Sequence, residues 1–201
     1  MKRTGRITMT LVMVLLLVLT AACAPAVTEE EEEEVAPTPT LPSGMGMLEI
    51  RVTDPGVVGV TSANVTAENI EIHPAGADDD GWILIIEGPI TFDLVKLAET
   101  EGEEILGTSA ITAGGFTGIR MDVIEVVGWT AEDPSREYQA TVPSEKLKIV
   151  RPFKVEDGVK TILTIDFDLS KSLITRVIRG EENFLFKPVV KLKIEEEKLE
   201  D

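Results

Sequence analysis

One loop of this 201-residue chain concentrates side chains that could bind a cation. His73, Asp78, Asp79 and Asp80 lie within the segment HPAGADDDGW, between two apolar runs. Ca²⁺ prefers several carboxylate oxygens from one loop, but an EF-hand places its acids at alternate positions and adds a distant Glu. Consecutive Asp residues before Gly are also typical of an exposed turn. The segment is therefore a candidate ligand or cation loop, with weak Ca²⁺ binding as the alternative to an ordinary turn, and no other cofactor is expected.

Two aromatic residues could make a different kind of contact. Trp129 ends an apolar run, and Tyr138 follows after the polar segment TAEDPSRE. An exposed Trp129 with Tyr138 nearby would suit stacking on a sugar or insertion into a partner protein. The alternative is that Trp129 closes one end of a core. Four phenylalanines on apolar parities are expected inside that core: Phe92, Phe167, Phe184 and Phe186.

Residues for catalysis are scarce. A Ser, Thr or Cys nucleophile usually needs a neighbouring base such as His, and His73 is the only His of the chain. Asp166 and Asp168 share one face of a predicted strand, roughly 6–7 Å apart, and paired carboxylates can hydrolyse glycosides. A solvated strand face explains the same spacing. We therefore expect no enzymatic activity.

The single Cys of the chain, Cys23, lies where a lipid could be attached. Three basic residues, an apolar run over residues 9–19 and the pair Ala21–Ala22 precede it. This order is typical of a secretory signal peptide, and residues 7–22 fall short of the roughly 20 that cross a bilayer. The residues around Cys23 resemble the bacterial lipobox, in which this Cys becomes the lipid-modified N-terminus. The alternative is an uncleaved signal anchor with an incidental Cys.

The N-terminal features predict a location. Residues 1–22 would be removed, and lipid on Cys23 would anchor the exported chain to the outer face of the cytoplasmic membrane or to the outer membrane. Residues 23–46 contain six consecutive Glu and a Pro/Thr-rich stretch, which predicts an extended, solvated tether. The formal net charge is −17, and it becomes −20 without the three basic residues of the leader. Because nucleic-acid binding needs a basic surface, DNA and RNA are not expected partners.

The pattern of residues 47–195 predicts an all-β domain. Apolar and polar residues alternate in about nine short runs, separated by Gly, Pro, Asp and Asn. Long helical periods and βαβ spacing are missing from the pattern, which favours an antiparallel β-sandwich, immunoglobulin-like or transthyretin-like. A frayed acidic tail is expected over residues 196–201.

Finer features are also predicted. A change of phase at Asn69 indicates a β-bulge, and the segment 92–101 is expected to include one helical turn. Residues 82–86 are apolar on both parities, which predicts a central strand. Pro188 places the last strand, over residues 184–194, at an edge of its sheet.

Seven segments in a fixed order resemble a known family. They are LEIRVTDPG, NVTAENIEIHPAG with GWI, GPITFDLVKL, ITAGGFTGIRMDVIEV, YQATVPSEKLKIVRPFKVEDG, TILTIDFDLSKSL and FLFKPVVKL. Over roughly residues 46–193 they look like the family catalogued as domain of unknown function 4382. The resemblance implies an exported bacterial or archaeal protein, often a lipoprotein, with a β-sandwich. It implies no activity, ligand or catalytic residue.

Together these observations predict a non-catalytic, lipid-anchored β-sandwich that serves as an interaction or structural module of the cell envelope. Its expected partners are the membrane, through the lipid, and an envelope protein or a glycan. The alternative is a surface domain that binds a carbohydrate or small ligand, with Ca²⁺ assisting, through the Asp78–Asp80 loop or Trp129. An envelope hydrolase ranks last because bases suited to activating a nucleophile are few, and His73 is the only His.

Overall fold

The structure is a computed structural model that describes residues 41–56 and 59–199. The predicted leader, the lipid-attachment residue Cys23 and the tether up to residue 40 lie outside the described residues. Within them the chain forms twelve strands and two short helices. Neither of these helices is long and apolar enough to cross a membrane.

The first half of the domain contains six strands and one helix. Its elements are β1 (Met45–Thr53), β2 (Val60–Pro74), β3 (Ile83–Ile86), β4 (Ile90–Asp93), α1 (Leu94–Thr100), β5 (Glu104–Thr112) and β6 (Gly114–Thr130). The second half contains β7 (Glu137–Thr141), β8 (Lys146–Val155), β9 (Val159–Phe167), α2 (Leu169–Ser172), β10 (Leu173–Ile178), β11 (Glu181–Phe186) and β12 (Val190–Lys198).

The strands form two sheets. The smaller has the order β12-β9-β1-β5, and the larger follows the path β10-β11-β7-β6-β2-β3, with β4 beside β2 and β8 beside β6. Most pairs are antiparallel, but β1 with β9 and β11 with β7 are parallel. The predicted all-β sandwich is therefore confirmed, with two parallel pairs added to the expected antiparallel pattern.

The inward faces of the sheets share one apolar core. The four phenylalanines predicted to lie there, Phe92, Phe167, Phe184 and Phe186, are all buried. Phe92 of β4 meets Phe167 of β9 with ring centroids 5.8 Å apart, so this pair links the two sheets. Full burial of such a side chain contributes about 1.5–3 kcal/mol.

Helix α1 confirms the predicted helical turn. Its N-cap residue, Asp93, accepts hydrogen bonds from the main-chain N–H groups of Val95 and Ala63, each at 3.0 Å. One carboxylate thus satisfies a free donor at the helix start and fixes the helix to β2. The helix ends at Glu101, whose left-handed backbone closes the last turn onto the Ala98 and Leu97 carbonyls.

The strand count is higher than the predicted nine for two reasons. The pattern missed β5 and β10, because β5 is rich in small polar residues and the second half of β10 is exposed on both faces. The run over residues 184–194 is two strands, β11 and β12, in different sheets. Pro188 lies in the connection between them, and β12 is an edge strand as expected.

Two other predictions need correction. Residues 83–86 form an edge strand, β3, rather than a central one, and Ile83 and Leu84 are 44% and 50% exposed. The acidic tail does not fray from residue 196, because β12 continues to Lys198, which pairs with Val159 of β9. The predicted bulge at Asn69 is confirmed by its positive φ of 49° and by the shift of register beside it.

Candidate functional site

The loop between β2 and β3 folds over the outer face of the larger sheet. Main-chain N–H groups of Gly81 and Trp82 donate to the carbonyls of Asp78 and Asp80, each at 2.8 Å. The Trp82 indole N–H donates to the Asp79 carbonyl at 3.0 Å. The three aspartates of the predicted cation loop therefore build the turn through their main-chain carbonyls, and this turn places the Trp82 ring.

His73 braces the same loop. Its Nε2 lies 2.8 Å from the Asp78 carbonyl oxygen, which can only accept, so Nε2 carries the proton of that bond. Its Nδ1 lies 3.0 Å from the hydroxyl of Thr117 on β6. The ring also packs against Trp82, with centroids 4.9 Å apart. Both ring nitrogens are thus occupied by protein groups.

The structure does not bring the predicted cation ligands together. Asp78, Asp79 and Asp80 are exposed, and His73 faces a main-chain carbonyl and a hydroxyl rather than their carboxylates. Over residues 41–56 and 59–199, no group of three or more His, Cys, Asp or Glu side chains is placed to hold a metal ion.

Two cations lie against Trp82. The guanidinium carbon of Arg120 is 4.2 Å from the ring centroid, and the Lys148 ammonium is 5.1 Å from it. Such contacts contribute about 0.5–1 kcal/mol at exposed sites and more where water is excluded. Sheet register explains the arrangement, because Glu71, Arg120 and Lys148 are direct neighbours on β2, β6 and β8.

Glu71 holds Arg120 in place. The guanidinium donates to both Glu71 carboxylate oxygens, from Nε at 2.6 Å and from Nη2 at 3.0 Å. These hydrogen bonds raise the pKa of Arg120 above its usual value. A two-bond pair of this kind fixes geometry as well as charge, so Arg120 is a fixed support for the indole ring.

The resulting concavity, here called the Trp82 pocket, has a volume of about 180 Å³. Its lining is His73, Asp79, Trp82, Thr117, Gly118, Lys148 and Val150. Lys148 forms no ion pair with another described residue. The pocket combines the Trp82 ring and the Lys148 ammonium with Asp79 and Thr117 in its lining, and its volume suits a ligand much smaller than the drug-sized molecules of typical protein pockets.

Gly118 forms part of the pocket floor for a steric reason. A Cβ at this position would lie 2.5 Å from the Ile149 carbonyl oxygen of β8. A side chain there would force the two strands apart. Gly118 pairs with Val150 in the register of the sheet, so the close approach of β6 and β8 at this point holds together two strands that line the pocket.

The Thr117–His73 contact resembles a nucleophile and its base, but its other hydrogen bonds point to a structural role. The Thr117 hydroxyl also lies 3.3 Å from the main-chain carbonyl of His73, to which it can donate. The far nitrogen of the imidazole is held by a carbonyl, not by a carboxylate as in a triad. The pair therefore ties the loop to β6.

The second predicted contact, Trp129 with Tyr138, is not an exposed platform. Tyr138 is buried, its hydroxyl donates to the Ser62 carbonyl at 3.0 Å, and its ring stacks on Phe184 at 4.5 Å. Burial raises the pKa of this phenol well above its usual value. Tyr138 takes the inward parity of β7 together with Ala140, which corrects the prediction. Trp129 is half-buried near the end of β6.

Asp166 and Asp168 have structural partners. Asp166 lies 3.4 Å from the Lys193 ammonium of β12. Asp168 is the N-cap of α2, where it accepts from the Lys171 N–H and from the Ser170 hydroxyl at 2.6 Å. β9 ends at Phe167, so Asp168 lies beyond the strand and caps α2. The prediction that the two aspartates share one strand face is therefore wrong.

Sequence reasoning missed Trp82, Arg120 and Lys148. Trp82 begins an apolar run that predicts a central strand. Arg120 and Lys148 lie on separate strands, and no sequence motif contains both. Only the register of β2, β6 and β8 brings them together. The available signal was Trp82 itself, a large aromatic directly after the turn AGADDDG.

A solved structure is similar to this chain at low sequence identity. The solved chain of a "putative cell adhesion protein" from Bacteroides ovatus is 12% identical, and the match covers 79% of this chain and 47% of that chain with a TM-score of 0.24. This chain thus matches about half the length of that one. Among curated proteins, none matches.

A family match covers most of the domain. The family described as "Domain of unknown function (DUF4382)" matches residues 45–188. This range begins with β1 and includes every strand up to β11, and therefore the whole larger sheet, three of the four strands of the smaller sheet and the Trp82 pocket. By this match, and in agreement with the seven segments noted in the sequence, the chain belongs to the family of domain of unknown function 4382.

Proposed function

We propose that the protein is a non-catalytic, lipid-anchored binding module on the extracytoplasmic side of the cell envelope. The observation that carries this proposal is the order of the N-terminal residues: a basic and apolar leader, Ala21–Ala22, the sole Cys, and then an acidic, Pro/Thr-rich tether. Lipid on Cys23 holds the chain to the membrane, and the tether carries the domain away from it.

The lipid anchor is tested by mass measurement of the mature N-terminal peptide and by membrane fractionation. We expect the peptide to begin at Cys23 with an added lipid mass, and Cys23→Ser to move the protein out of the membrane fraction. Thr28→Ser, a tether variant that leaves the thiol intact, is the control. A mature chain that keeps residues 1–22, or an unmodified Cys23, contradicts the anchor.

A second candidate function is binding of a carbohydrate or another small ligand at the Trp82 pocket. The specific observation is the half-buried Trp82 beside the Lys148 ammonium, which forms no ion pair with a described residue, in a lining that also includes Asp79 and Thr117. An aromatic face packs on the C–H face of a sugar ring, while polar groups around it accept and donate hydrogen bonds. The pocket takes the place of the Trp129 surface as the candidate site.

Glycan binding is tested on an array of bacterial surface glycans with the full-length protein in detergent. We expect Trp82→Ala and Lys148→Gln to lower binding at least several-fold. Trp129→Phe and Lys154→Gln are matched controls, because Lys154 is an exposed lysine of the same strand. Equal losses in test and control variants contradict the assignment to this pocket, and no binding by the wild-type protein contradicts the function.

Catalysis and strong metal binding are not part of the proposal. The Thr117–His73 pair is tied into the loop, and the aspartates of the loop act through their main-chain carbonyls. We propose at most weak Ca²⁺ binding at Asp78–Asp80. Calorimetric titration with Ca²⁺ should give a small heat for the wild type and a smaller one for a variant with all three aspartates changed to Asn, and equal heats would contradict binding at this loop.

A further inference from the structure

Two strand edges outside the Trp82 pocket carry exposed apolar side chains. In the described part of the chain, β10 ends the path of the larger sheet and β5 ends the smaller sheet. β5 lies against β3, which is the opposite end of the larger sheet's path from β10. The free edges of β5 and β10 are therefore on opposite sides of the sandwich.

The β10 edge is apolar and cationic. Val177 is 70% exposed and Ile178 is 53% exposed. Arg176 and Arg179, on either side of them, are exposed and form no ion pair with a described residue. In a chain of net charge −17, these two arginines and two exposed apolar side chains lie at the outer edge of β10, whose other edge pairs with β11.

The β5 edge is apolar and acidic. Ile105 is 55% exposed, and the exposed acids Glu101, Glu103 and Glu104 precede it. β5 hydrogen-bonds only to β1 among the described strands. Natural edge strands are usually protected by Lys, Pro or a bulge. β5 contains neither Lys nor Pro, and its pairing with β1 is interrupted at Leu106 by one shift of register.

We propose that copies of this chain join head to tail, with the β10 edge of one copy pairing with the β5 edge of the next. Added strand pairing satisfies the free main-chain groups of both edges. Val177 then packs near Ile105, and the arginines meet the glutamates. Because the two edges lie on opposite sides, one copy cannot pair its own edges, and the same contact repeats into a ring or an open chain.

The contact is expected to be weak in dilute solution. Strands of six and nine residues bury less than the roughly 1,000 Å² of a stable specific interface. Association then depends on high local concentration, which attachment to a shared surface supplies. The pairing itself does not rest on the lipid anchor, and its test below omits the anchor.

The test is disulfide trapping in the full-length chain with Cys23→Ser, so that each copy carries a single introduced thiol. Copies with Ile105→Cys and copies with Val177→Cys are mixed at high protein concentration and oxidised. We expect the 105–177 dimer to form several times faster than the 105–105 and 177–177 dimers. Val150→Cys is the control, because Val150 is 75% exposed on β8, and its dimer with Val177→Cys should form slowly.

Charge exchange separates pairing from random collision. Changing both Arg176 and Arg179 to Glu should slow formation of the 105–177 dimer, and changing Glu101 and Glu104 to Arg in the other copy should restore it. Glu103 is kept, because it pairs with Arg51 of its own chain at 3.0 Å. Equal rates for all thiol pairs, faster like-with-like dimers, or no rescue by the exchanged charges would each overturn the proposal. A soluble chain that traps as expected supports it even if Cys23 carries no lipid.

Discussion

The guanidinium carbon of Arg120 lies 4.2 Å from the centre of the Trp82 ring. Arg120 is on β6, whereas Trp82 follows the loop that begins at the end of β2. The contact therefore joins a surface loop to the middle of the larger sheet. Since Glu71 fixes the guanidinium by two hydrogen bonds, the position of the indole depends on a residue pair outside the pocket lining.

Arg120→Met should destabilise the domain and loosen the loop. The change removes the contact with Trp82 and leaves the Glu71 carboxylate, whose side chain is 16% exposed, with only the Lys146 ammonium at 3.9 Å. We expect a loss of about 1–3 kcal/mol in the free energy of unfolding, measured by urea denaturation. The Trp82 fluorescence in a Trp129→Phe background should shift toward that of an exposed indole.

The control for this change is Arg176→Met. Arg176 is exposed on β10 and far from Trp82 in sheet order, so its replacement should change stability by no more than about 0.5 kcal/mol. An equal loss in both variants would mean that the Glu71–Arg120–Trp82 contacts add nothing beyond the general effect of removing a charge.

Tyr138→Phe tests the corrected position of that residue. The phenol donates to the Ser62 carbonyl in a buried site, so removing the hydroxyl should cost about 0.5–1.5 kcal/mol. Stacking on Phe184 is kept. Binding at the Trp82 pocket should not change, because Tyr138 faces the core. Stability comes from thermal and urea unfolding, and a loss of glycan binding without a loss of stability would contradict the burial.

The opposite outcomes for Trp82 and Tyr138 show what a one-dimensional pattern can determine. Alternation predicted the sandwich, the bulge at Asn69, the helical turn before Glu101 and the buried phenylalanines. In a short run that is apolar at every position, alternation does not show which side faces the core. The pattern therefore predicts a central strand where the structure has the edge strand β3. Tyr138 has inward parity on β7, but a five-residue strand after a polar loop gives too few alternations to determine its phase.

The candidate site depends on register, which is a long-range property. Glu71, Arg120 and Lys148 come from three strands separated by 49 and 28 positions in the sequence. No local motif contains them. Which residue faces which is determined by the bulges in β2 and β6, and a slip of one residue would turn these side chains to the other face.

Asp54 and Asp168 should give opposite dependences of stability on pH. Asp54 is buried and accepts from the N–H groups of Leu169 and Gly56 at 2.8 and 2.9 Å. Burial is the largest effect and raises its pKa. The folded state therefore disfavours the charged form. Relative to Asp54→Asn, the wild type should lose stability as pH rises above about 4, the usual Asp value.

Asp168 should give the opposite dependence of stability on pH. Its bonds from Lys171 and Ser170 lower its pKa, so its contribution is present above the usual Asp value and is lost as pH falls through the lowered one. Urea denaturation of the wild type, Asp54→Asn and Asp168→Asn between about pH 3 and 7 separates the two. Parallel curves for all three proteins would show that neither carboxyl has a shifted pKa.

Gly118→Ala should disturb the pocket through its floor. The added methyl would lie 2.5 Å from the Ile149 carbonyl oxygen, which cannot move without breaking the β6–β8 ladder. We expect a loss of roughly 1–3 kcal/mol, the usual cost of overpacking, together with weaker ligand binding and altered Trp82 fluorescence. Gly115→Ala, on the same strand, is the matched control, because its Cβ would meet only Ala75 at 3.6 Å. The control should keep both stability and binding. If the two variants behave alike, close approach of β6 and β8 at Gly118 does not shape the pocket.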